Sequence, residues 1–123
     1  MNDLVLLSYV SRHMQPERIQ SFEEFWPFYL NEHAKSVTRW FHFVGTNCGI
    51  AILIYAISTS NWKIIPLALV CGYAFAWVSH FFIEKNRPAT FTYPGWSFKA
   101  DFKLCRLMWI GRLGPELDKH LKP

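Results

Sequence analysis

A chain of 123 residues offers enough material for one domain with a single core. Hydrophobic residues make up 51% and aromatic residues 18%, rich for a soluble protein of this size, while the formal charge is only +4. No block of basic residues accompanies that charge, which sets aside nucleic acid as a partner.

The N-terminus carries Asn2-Asp3 in place of a basic region, with no small-residue cleavage site after a long enough apolar run, so no signal peptide is expected. Residues 4–14 are expected to form a short amphipathic helix on the membrane surface, whose His13 has no ligand-spaced partner and reads as structural. Ser21-Phe-Glu-Glu24 is a capping box: the serine hydroxyl can accept the third helical N–H while Glu24 reaches back. It opens a helix through Phe25, Trp26, Phe28, Tyr29 and Leu30, with Pro27 a local irregularity. The aromatic side of this helix should lie against core or lipid headgroups.

His33 and His42 follow, nine residues apart. At about 100° per residue they point to opposite sides of one straight helix, so they converge only if the chain breaks between them. Ser36 offers the break, as N-cap of a new helix beginning at Val37.

From Phe43 to Lys63, and again from Ile64 to Glu84, the chain is almost free of charge. The second run is long enough to span a bilayer and the first is near the lower limit. The expected fold is therefore all-α: a single helical membrane domain over residues 1–123, with a two-helix transmembrane hairpin (about 43–59 and 63–83) and flanking interfacial helices. Two buried helices of a soluble bundle are the alternative. Ser58–Trp62 supplies the polar turn. Four basic residues precede the first span, Lys63 alone lies in the turn and eight follow the second. This distribution places both termini in the cytoplasm. Cys48, Cys71 and Cys105 lack metal-like spacing and read as buried thiols of a reducing compartment.

With the turn centred at Asn61, His42 and His80 each lie 19 residues from it. At 1.5 Å per residue both sit about 28 Å away, at one membrane depth. Gly45-x-x-x-Gly49 on one helix and Gly72-x-x-x-Ala76 on the other allow close backbone approach, either within the hairpin or in a homo-oligomer. His80 and Glu84, four residues apart, share a helix face before Asn86-Arg87-Pro88 ends the helix. A histidine beside a carboxylate against an apolar wall suits metal ligation or proton transfer; the plainer reading is an interfacial histidine beside an i,i+4 ion pair.

Residues 89–96 read as a loop with a turn at Pro94-Gly95, and Ser97-x-x-x-Asp101 begins a surface-lying or partly inserted amphipathic helix. Gly111 and Gly114-Pro115 break it, leaving a polar tail from Glu116 in which His120 is structural or solvated.

Glu32-His33, Thr38-Arg39, His42-Phe-Val-Gly45, the motif H-x-x-x-E-x-N-x-P-A from His80 to Ala89, Tyr93-Pro94 and Asp101-Phe102 together resemble the 2-hydroxy fatty acid dioxygenase family over roughly residues 22–104. The resemblance implies a membrane enzyme that uses Fe(II) and O2 to shorten a 2-hydroxy fatty acid by one carbon, as in fatty acid α-oxidation. On that basis His33, His42 and His80 would be the metal ligands, gathered at the cytoplasmic mouth of the hairpin. Glu84 would be a catalytic carboxylate, as a fourth ligand or as an acceptor fixing a ligand histidine. Lys85, Asn86 and Arg87 would hold the substrate carboxylate, Lys85 and Arg87 being otherwise positive anchors at the membrane surface. A zinc-dependent hydrolase with Glu84 as base, and a non-enzymatic lipid-binding or scaffold hairpin, are the competing readings. The last gives no reason for His33 to face the other two.

Overall fold

The computed structural model describes residues 2–13 and 18–121, with the backbone alone for Arg12 and His13, so the expectations for the His13 side chain and Met14 lie outside the described residues. Six α-helices follow in order: α1 (Asp3–His13), α2 (Phe22–Glu32), α3 (Ser36–Ser58), α4 (Ile65–Val78), α5 (Pro94–Trp109) and α6 (Leu113–His120). A 3₁₀ turn at Trp62–Ile64 leads into α4, π-helical turns continue it over Ser79–Glu84, and a second 3₁₀ turn at Ala89–Phe91 precedes α5. No strand occurs among the described residues.

Ser21 starts α2 as its sequence demands, its Oγ accepting the Glu24 N–H at 3.2 Å. The aromatic side of α2 then makes the core: Phe25, Trp26, Tyr29 and Leu30 pack with Ala89, Ala100, Leu104 and Leu107. That overturns the expectation of a merely surface-lying α5, because its Ser97, Ala100, Leu104, Cys105 and Leu107 side is buried. Pro94-Gly95 forms no separate turn and instead opens α5, since a proline at the first helical position gives up an N–H that has no partner there anyway. Gly111 ends α5 with φ +70°. Gly114-Pro115 does not break the chain again but lies in the first turn of α6. The tail folds back on α2, the Trp26 indole donating to Glu116 at 2.9 Å.

The hairpin packs through its small residues. A Cβ at Gly45 would stand 2.7 Å from the Phe75 Cβ and 3.2 Å from the Gly72 carbonyl, and one at Gly49 would stand 3.0 Å from the Ala68 carbonyl. The glycine row of α3 is thus occupied by α4, and self-association would need another face. Ser36–Ser58 and Trp62–Glu84 are each 23 residues long and apolar enough to cross a membrane. Their most apolar stretches are only 22% and 17% buried by protein, so the soluble alternative of two enclosed core helices does not describe them. Leu53, Ile54, Leu67 and Val70 stand exposed, as in a membrane protein. Of the three free thiols, Cys105 is buried while Cys48 and Cys71 are half-buried, less enclosed than their apolar sequence surroundings suggest.

The break between His33 and His42 is present, shifted by one residue. Helix α3 begins at Ser36, and Lys35 is its extended N-cap without a side-chain capping bond. The capping acceptor comes from another element: the Lys35 N–H donates to Glu84 Oε1 at 2.6 Å. Lys35 Nζ donates to the Ile83 carbonyl, and Asn86 Nδ2 to the carbonyl and carboxylate of Glu32. Arg39 closes the elbow by donating to the His33 and Ala34 carbonyls. These bonds stitch the α2–α3 elbow to the end of the second span.

Candidate metal centre

Three histidines meet where the elbow and the hairpin ends converge. His33 is the C-cap of α2, His42 lies on α3 two turns after the elbow, and His80 sits in the π-helical stretch that prolongs α4. All three are at least 95% buried. His33 Nε2 lies 3.1 Å from His42 Nε2 and 3.0 Å from His80 Nε2. The matched depth argued from the hairpin turn is realised, with the His42 and His80 rings 5.1 Å apart.

What the three nitrogens carry is fixed from the far side of each ring. His33 Nδ1 lies 2.6 Å from the Tyr29 carbonyl, His42 Nδ1 lies 3.0 Å from Asp101 Oδ1, and His80 Nδ1 lies 2.7 Å from Asn86 Oδ1. A carbonyl and a carboxylate can only accept. The amide of Asn86 is oriented by the two bonds from its Nδ2 to Glu32, leaving its oxygen toward His80. Each Nδ1 therefore donates a proton, and each neutral ring keeps a bare lone pair on Nε2. The His33 lone pair, about 3 Å from those of both His42 and His80, is repelled by them unless something cationic lies among the three. Two ligands at right angles on an ion with bonds of about 2.1 Å stand about 3.0 Å apart, so the separations fit a metal ion held by three nitrogens.

Electrostatics support the neutral state. Burial, then the neighbouring His42 and His80, hold His33 well below the usual histidine range. Burial, then the Asp101 charge, raises the Tyr29 phenol, which stays protonated and donates to Asp101 Oδ1 at 2.5 Å. Tyr29 also stacks on His33, ring centroids 4.0 Å apart.

The other residues singled out by sequence do not join this cluster. Glu84, expected to touch His80 or the metal, instead accepts the Lys35 N–H, and the three-histidine group forms without it. Asn86 reaches His80 and Glu32, so its polar atoms serve the histidine centre. Lys85 and Arg87 border an open cleft with Phe81 and Phe82, and Arg87 lies over the Phe91 ring. Asp101 and Tyr29 were not assigned to the site from sequence. Asp101 did leave a signal: it is the sole acidic residue between Glu84 and Glu116, on a helix otherwise apolar and basic.

Beside the centre an apolar cavity of about 160 Å³ opens between α3, α4 and α5. His42 and Asp101 stand at it together with Gly45, Gly49, Leu53 and Phe102, so the space runs along the glycine row of α3. A buried nitrogen cluster beside an apolar groove can hold a metal ion next to an extended hydrocarbon.

No curated protein and no solved structure matches the chain. A family model described as 2-hydroxy-palmitic acid dioxygenase Mpo1-like matches residues 19–113, a span that includes all three histidines and Asp101.

Proposed function

The chain belongs to the 2-hydroxy-palmitic acid dioxygenase Mpo1-like family, and from that premise we propose that it is an Fe(II)-dependent dioxygenase of the membrane that shortens 2-hydroxy fatty acids by one carbon. The observation that carries the proposal is the convergence of three Nε2 lone pairs, each ring held by an outward Nδ1 bond, beside an apolar groove. His33, His42 and His80 would hold the ion. Bound there, the ion would supply a redox-active Lewis acid with coordination positions left free by three protein nitrogens.

The residues of the chain do the rest. The groove bordered by Gly45, Gly49, Leu53 and Phe102 would take the acyl chain. Asp101, Tyr29 and Asn86 hold the imidazoles in one tautomer and orientation. Lys85 and Arg87 would anchor the end of the second span at headgroup level, on the cytoplasmic side with both termini. The reaction balances as R–CH(OH)–COOH + O2 → R–COOH + CO2 + H2O. The bond between C1 and C2 breaks, and four electrons from the acid reduce dioxygen without a separate reductant. A zinc hydrolase would need Glu84 as its base, and that carboxylate caps α3.

The test is metal analysis of protein purified in detergent without oxygen, followed by exposure to 2-hydroxyhexadecanoate and O2. About one iron per chain, lost in His80→Ala, with pentadecanoate formed and O2 consumed one for one, is the expected result. Tightly held zinc, with no O2 uptake after iron reconstitution, would sink the proposal.

A further inference from the structure

The inner side of α5 presents two polar residues one turn apart, Ser97 and Asp101. Asp101 is committed to His42 and Tyr29. Ser97 is not: it is 2% exposed, and its Oγ has no hydrogen-bond partner among the described residues. Hydroxyls are rarely sealed from water without a partner, because the lost hydration goes uncompensated. Ser97 also borders a small enclosed space of about 10 Å³ whose walls include His33, His42, His80, Ala89 and Thr90. That is close to the room one oxygen atom needs.

We propose that Ser97 is a substrate-binding residue, its Oγ–H donating to a carboxylate oxygen of the 2-hydroxy acid where the acid meets the histidine centre. This rests on the function proposed above. The chemistry around the space favours an anion's oxygen as the partner of this donor. The three Nδ1–H groups are given to the Tyr29 carbonyl, Asp101 and Asn86, and the Tyr29 O–H is given to Asp101. Asp101 itself can only accept and repels a carboxylate. A free hydroxyl one turn from it supplies a donor and offsets that repulsion. A hydrogen bond from a neutral donor to a charged acceptor in a dry site is among the stronger ones.

The experiment compares wild type with Ser97→Ala in three measurements: metal content, thermal midpoint of the metal-free protein, and affinity of the iron-loaded protein for 2-hydroxyhexadecanoate under argon, where no turnover occurs. The expected result is unchanged metal content, an unchanged or raised midpoint because an unpartnered hydroxyl has gone, and binding weakened about tenfold or more. Unchanged affinity would overturn the inference and make a trapped water the partner of the hydroxyl. A lowered midpoint or lost metal would also overturn it, making Ser97 a packing residue. Failure of wild type itself to bind the acid would overturn this inference together with the function it rests on, whereas wild-type binding undisturbed by the substitution would remove the inference alone.

Discussion

His33 faces both His42 and His80 at about 3 Å because the far nitrogen of each ring is held by an acceptor oxygen. The histidines themselves were legible from spacing: nine residues across an expected break, and equal distances from a hairpin turn. Their supports were not, because Asp101 reaches His42 across 59 residues and only the packing of α5 against α3 brings them together. Asn86 was expected to hold the substrate carboxylate; its bond to His80 depends on the left-handed turn at Lys85 (φ 59°), which no pattern in the sequence announces. Asp101→Ala should leave the His42 Nδ1–H and the Tyr29 O–H without their acceptor and free the His42 ring to change tautomer. Metal affinity should fall about 10–100-fold, with a smaller loss for Tyr29→Phe. Metal titration of the two variants checks this, and equal affinity to wild type in Asp101→Ala would show that the ring needs no such support.

At the scale of elements, the capping box, the two apolar spans and their small-residue seam followed from local chemistry and were anticipated. Where Glu84 was expected to meet His80, its carboxylate accepts the Lys35 N–H. The spacing itself holds, because positions four apart stay on one side of the π-helical turns over Ser79–Glu84 as they do on an α-helix. His80 is there turned into the protein, and Glu84 caps α3 instead. A cap needs an acceptor oxygen and no charge transfer. Glu84→Gln, which keeps such an oxygen, should therefore bind metal much as wild type does, while Glu84→Ala should destabilise the protein by about 1 kcal/mol. Denaturation and metal content measured on both variants distinguish the roles, since loss of the metal in Glu84→Gln would return the carboxylate to the centre.

Across the whole molecule, the ligands join three parts of the chain: the end of α2, the start of α3 and the end of the second span. An ion bound only by the folded protein stabilises it by RT ln(1 + [L]/Kd), about 2.7 kcal/mol at a hundredfold excess over Kd. Stripping the ion with a chelator should lower the thermal midpoint of the detergent-solubilised protein by several degrees, and the same treatment should leave His80→Ala unmoved. A midpoint indifferent to chelation in the wild type would argue that no ion ties these elements together. The two helices long and apolar enough to cross a membrane were legible because apolar runs of about twenty residues stand out in a sequence. The third layer, α5 and α6 folded onto α2, was not, because its apolar stripe is interleaved with lysines and arginines that suggest a surface.

The stitching of the elbow to Glu84, Asn86 and Asp101 also sets an order in time. A ribosome delivers His33 and His42 well before the residues that orient them, and 68 positions separate His33 from Asp101. At about 5–20 residues per second that interval is roughly 3–14 s. For the first 47 of those positions the third imidazole, that of His80, is still missing, and until the last of them His42 lacks its carboxylate. A metal ion held by all three histidines in this arrangement would therefore be bound only after α5 has docked on α3, so that any cellular metal donor would meet those helices already packed.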